Sequence, residues 1–202
     1  MSPAAQRKTP AHAPHAGNIQ AFATAKAWAV WLKKNHASSP GLWVKFYKKA
    51  SGVASLSYAQ ALDEALCWGW IDAQVKSFDD QAWIHRFLPR RPRSSWSKRN
   101  REHVARLEKA GRMQAPGAAQ VAAAKADGRW EQAYDPPSQA QVPEDLLKAL
   151  AKHKPALAFY RSLNRANHYA MVYRLQTAKK PETRARRLEL ILAMMKAGKK
   201  FH

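Results

Sequence analysis

SYAQALDEALCWGWIDAQVKSFDDQAWIHRFL, residues 57–88, changes its period halfway along. In the first part Ser57 and Gln60 stand three apart, the spacing of a capping box, and Ala61, Leu62, Ala65 and Leu66 recur on one helical face. Gly69 sits where that helix must stop. Beyond it, residues 70–75 and 82–88 are aromatic and β-branched runs flanking the polar link Ser77-Phe78-Asp79-Asp80-Gln81, the pattern of a hairpin. A helix followed by paired strands predicts an α+β fold.

Upstream, Phe22, Ala25, Trp28, Val30, Trp31 and Leu32 give an apolar helical face from Asn18 to the stop at Ser39-Pro40-Gly41, and LWVKFY (42–47) reads as a strand. Downstream, RRPRSSWSKRN (90–100) has no apolar periodicity. Ser97 then caps a helix to about Ala110, residues 116–127 form an Ala-rich helix stopped by Gly128, and 134–138 are extended. Only helices follow, near 143–152, 155–163, 166–178 and 181–197. The expected fold is thus α+β, a small antiparallel sheet packed with helices, followed by an all-helical C-terminal part. Residues 1–17 read as a flexible tail, 18–135 as an α+β core carrying the Arg/Pro-rich segment, and 136–202 as a helical region packed on that core.

Charge points to a partner. The chain has 35 Lys and Arg against 14 Asp and Glu in 202 residues, a net charge of +21, more than solubility requires. The excess is clustered, with +7 over residues 76–112 and +11 over 152–202. In the central cluster Arg86, Arg90, Arg91, Arg93 and Lys98 stand among Trp83, Phe87 and Trp96. Arginine forks suit phosphate and carboxylate, and Pro89 and Pro92 stiffen the segment that presents them. The same arginines would also serve as a solvated face paired with Asp79, Asp80 and Glu102. Arg184, Arg186 and Arg187 lie opposite an apolar helix face, as on any amphipathic helix. The expected ligand site is therefore Arg86, Arg90, Arg91, Arg93, Trp96 and Lys98, taking an anionic small molecule or an acidic partner. Weak, non-specific nucleic-acid binding is expected from the net charge alone.

Catalytic signatures are sparse. Glu64, Asp72 and His85, with Trp70 beside them, could line a pocket in which a carboxylate and an imidazole exchange protons; the same acids could instead orient arginines. Cys67, between Leu66 and Trp68 near a helix C-terminus, reads as core. The eight histidines show neither HxxxH nor HExxH, and there is no GxxxxGK[ST] or GxGxxG, so no metal and no cofactor are expected. One cysteine, no apolar stretch at the N-terminus and no membrane-length apolar run predict a cytoplasmic protein with no transmembrane segment.

Leu42–Phe46, Ser57–Asp72 and Arg86–Asn100 together resemble the YdeI/OmpD-associated family, whose common label is bacteriocin protection. The similarity continues through Gly111–Met113, Ala124–Trp130 and Thr177–Arg187, so it spans nearly everything after the tail. Family members more often have Tyr at the position of Trp68 and Thr at that of Leu88. The resemblance implies a cytoplasmic bacterial protein with a role in resistance to bacteriocins or other cationic antimicrobial stress, and it brings no reaction. A basic protein does not trap a cationic peptide by charge, so protection would be indirect. Three molecular roles fit: a binding module for an anion, a nucleic-acid binder, or an enzyme acting on an anionic small molecule.

Overall fold

The structure is a computed structural model that describes residues 19–201; the expected tail, 1–17, lies outside the described residues. The chain forms two compact units, one of residues up to Pro92 with Leu107–Ala122, the other of Arg93–Arg106 with Ala123–His202. The Arg/Pro-rich segment is therefore divided, its residues from Arg93 onward going with the helical C-terminal part.

In the first unit β1 (Ile19–Ala21), β2 (Leu42–Tyr47), β3 (Trp70–Ser77) and β4 (Ala82–Pro89) form one sheet in the order β1-β2-β4-β3. The β3–β4 hairpin is as the sequence predicts, and β4 also pairs antiparallel with β2, Val44 opposite His85. The sheet is mixed, however, because β1 runs parallel to β2 with Ile19 opposite Trp43. Residues 19–21 are therefore strand and not the start of the first helix. A parallel neighbour needs a crossover, and α1 (Ala25–Asn35) supplies it, beginning only where Thr24 caps the amide of Ala27 at 3.2 Å.

The expected capping box opens α2 (Tyr58–Cys67), with Ser57 and Gln60 bonding reciprocally. Gly69, at φ +73°, turns the chain from α2 into β3. Leu42, Val44, Phe46 and Phe87 from one sheet face pack with Trp28 and Leu32 of α1 and Ala61 and Ala65 of α2. Two tryptophans anchor this core without orphaning their N–H groups: Trp28 Nε1 donates to Ala61 O and Trp70 Nε1 to His36 O, both at 3.0 Å. Burying each such ring contributes roughly 1.5–3 kcal/mol. Trp68 caps α2 half-buried against His36.

Early in the second unit Trp96 is set edge-on to Trp130 with ring centroids 4.9 Å apart. Ser97 bridges to Tyr134 and caps α3 (Lys98–Lys109), accepting from the amide of Asn100 at 3.1 Å. After α4 (Ala115–Ala126), whose end lies here, come α5 (Glu144–Ala151), α6 (Lys154–Ser162), α7 (Arg165–Gln176) and α8 (Pro181–Lys196), close to the four predicted helices. Their core includes Leu146, Leu150, Tyr160, Met171, Ile191 and Met195. Part of the C-terminal charge is used internally: Arg184 pairs with Asp145, and Arg187 donates to Arg174 O at 2.6 Å and to Thr177 Oγ1 at 3.2 Å. Among the described residues no helix is long and apolar enough to cross a membrane.

Candidate functional site

The two units divide the residues expected to bind a ligand. Arg86, Arg90 and Arg91 belong to the first. Arg86 pairs across β2 with Trp43 and is half-buried. Arg90 is only 5% exposed, its amide bonded to Gly69 O at 3.0 Å, so it faces the interior rather than presenting its fork to solvent. Trp96 is likewise a correction: at 2% exposure it is core, and its ring is not available to cover a ligand. Its polar neighbours in sequence suggested a surface ring, but Trp130 is what packs on it.

Of the residues expected to line a pocket in the first unit, two come together. His85 Nε2 lies 3.6 Å from Asp72 Oδ2, and a residue that the sequence did not single out, Tyr58, donates to the same oxygen at 2.8 Å while its ring stacks 5.0 Å from the imidazole. Burial pushes the His85 pKa down, with Asp72 opposing. Glu64 does not join them; Arg112 donates to it at 2.6 Å. Trp70 is in the core.

The second unit contains a cleft of about 400 Å³, within the range of small-molecule sites. Its walls come from three places: Ser95 and Lys98 beside the start of α3, Arg129 to Asp135 after α4, and Gln176 to Lys179 between α7 and α8. Arg93, Asp127, Arg129, Gln132 and Lys179 line an adjoining hollow of about 340 Å³, so the two share Arg129, Gln132 and Lys179.

Arg129 is held firmly. It is 6% exposed, its Nε reaches both carboxylate oxygens of Asp127 at 2.7 Å, and its Nη1 donates to Ser94 O at 3.0 Å. Its Nη2 has no hydrogen-bond partner among the described residues. The bond from Arg129 holds the Asp127 carboxyl below its usual range, with Lys179 adding a weaker pull. At the other end Lys98 pairs with Asp135 at 2.6 Å and Gln176 donates to that carboxylate at 2.7 Å, which keeps Asp135 ionised. Tyr169 donates to Asp135 O at 3.1 Å, and burial above all pushes its pKa up to about 12, so it stays a neutral donor. Arg93 adopts φ +62°, the only left-handed non-glycine among the described residues, and is exposed with no bond or ion pair to them. Among the described residues no group of three or more His, Cys, Asp or Glu is placed to hold a metal ion.

Of the expected ligand residues, then, Arg93 and Lys98 line the shared hollow and cleft. Arg129 and Lys179 were not among those expected. Arg129 sits in a segment of net negative charge, and Lys179 in a run that reads as a solvated helix entry. The local signal was Asp127-Gly128-Arg129, in which a glycine at φ +75° folds the arginine back onto its own acid.

Fold and cleft define an α+β protein with a basic, ligand-sized cleft in its helical unit. Residues 20–120, half of the chain, match a family described as a domain of unknown function, and the chain belongs to it. Residues 139–198 match the family described as bacteriocin-protection, YdeI or OmpD-associated, the one that the sequence resembles. Of the stretches that carry the resemblance, those from Leu42 to Met113 fall in the first match and Thr177–Arg187 in the second, while Ala124–Trp130 lies between them. No curated protein and no solved structure matches the chain.

Proposed function

We propose that the protein binds a small anionic molecule, bearing phosphate or carboxylate, in the cleft of its second unit. The observation that carries this reading is the cationic charge left over at one wall. Arg93 and Lys179 make no ion pair among the described residues, yet they share a hollow with Arg129, whose guanidinium is braced from two sides. A braced fork loses little freedom when it meets an anion. Three of the stretches that carry the family resemblance each contribute a wall residue, which supports the same reading. Bacteriocin protection, in this account, acts indirectly through the bound anion, because a chain of +21 repels cationic peptides. The single cysteine, buried at Cys67, suits the reducing conditions of a cytoplasm.

Thermal unfolding in rising inorganic phosphate, with sodium chloride at matched ionic strength as control, tests this. Phosphate at one hundred times its Kd stabilises the folded chain by about 2.7 kcal/mol, and Arg93→Ala combined with Lys179→Ala removes that gain. A chain that phosphate does not stabilise, or a double variant that responds as the parent does, overturns the proposal.

A further inference from the structure

The charges lining the cleft and its hollow do not cancel evenly, and the remainder has a pattern. Arg129 is neutralised by Asp127 and Lys98 by Asp135. Arg93 and Lys179 remain as two cations outside any ion pair among the described residues, Lys179 exerting only its weaker pull on Asp127. One acid also remains: Glu131, exposed, lines the cleft and makes no ion pair or hydrogen bond with any described residue. Arg93 lines only the hollow and Glu131 only the cleft, so the two line different parts of the site, with Lys179 common to both. A purely anionic ligand filling the cleft would meet Glu131 with a like charge, which is unfavourable in a partly desolvated space.

We infer that the ligand is a zwitterion, an anionic head with a cationic amine a few bonds away. The head lies against Arg93 and Lys179, and the ammonium lies against Glu131. Two leftover cations match a phosphate monoester, which carries about −1.5 to −2 at neutral pH, so a phosphorylated amine has the complementary charge at both ends. This inference rests on the anion-binding reading above.

Two matched pairs of probes separate the two claims: 2-aminoethyl phosphate against ethyl phosphate, and β-alanine against propionate, each titrated calorimetrically into the full chain. The aminated member of the phosphate pair should bind at least tenfold more tightly than its partner, and Glu131→Gln should remove that difference by weakening 2-aminoethyl phosphate, while ethyl phosphate binds no less tightly than to the parent. Glu131 is exposed, so this variant should unfold at the parent's temperature, which checks its integrity. A preference confined to the carboxylate pair would keep the zwitterion and replace the phosphate with a carboxylate. Equal affinities within both pairs sink the inference and leave anion binding standing. Failure of all four probes to bind sinks both.

Discussion

At the scale of single residues, Arg93 joins conformation to function. A left-handed backbone is uncomfortable for any side chain but glycine, at roughly 1–2 kcal/mol. Arg93→Gly should therefore unfold no earlier than the parent, gaining up to about 1 kcal/mol after the larger unfolded-state entropy of glycine is counted, yet it should lose most of its stabilisation by phosphate. A variant that is clearly destabilised, or one that keeps the phosphate response, would show that this arginine holds the loop rather than the ligand. His85 gives a second expectation, with a definite sign. Its pKa is lowered by burial, so below the usual imidazole value the unfolded chain takes up a proton that the folded chain resists. The stabilisation is complete above about pH 6.5 and is lost as pH falls through the folded pKa. Protonation would also leave Nδ1–H buried with no acceptor among the described residues. Stability measured from pH 7 to pH 5 should fall more steeply in the parent than in His85→Gln; parallel curves would refute it. His85 and Asp72 could be paired from sequence because both lie on the predicted hairpin. Tyr58 could not, since its place beside them depends on how α2 packs on the sheet.

At the scale of elements, some helix starts were legible from local chemistry, although Thr24, whose side chain caps α1, was not. Ser57 with Gln60, Ser97, and Pro181 at the first turn of α8 each mark a boundary by local chemistry. β1 was not legible, because three residues carry no alternation and their only argument for being a strand is a partner more than twenty residues away. The cleft shares that limitation: Arg93 and Lys98 are near neighbours in a stiff segment, but Arg129 and Lys179 reach them only through tertiary folding. The same contrast separates two substitutions. Ser57→Ala should cost about 1 kcal/mol, the ordinary worth of a cap. Gly117→Ala should cost more, on the order of 1–3 kcal/mol or above, although alanine is the better helix former. A Cβ at Gly117 would run into the carbonyl oxygens of Cys67 and Leu66, where the first turn of α4 meets the last of α2. Chemical denaturation of both variants checks the order, and a Gly117→Ala chain at least as stable as the parent would refute the close approach.

For the molecule as a whole, a net charge of +21 guarantees attraction to any polyanion, and the question is how far it survives salt. Duplex and single-stranded DNA should bind without sequence preference at low salt, and the affinity should fall steeply and log-linearly towards physiological salt. Trp96, at 2% exposure, cannot stack on a base, and Arg184 and Arg187 already serve the helical unit. Tight binding at physiological salt would instead mark a nucleic-acid protein and displace the small anion as ligand. One further consequence follows from the packing around Gly117. The chain's only thiol, Cys67, is 1% exposed, and its carbonyl accepts from the amide of Gln114 at 3.1 Å. The protein therefore carries a built-in clock: a thiol-reactive dye added to the native protein reports how often α2 and α4 part, with no label engineered and no second cysteine to confuse the count.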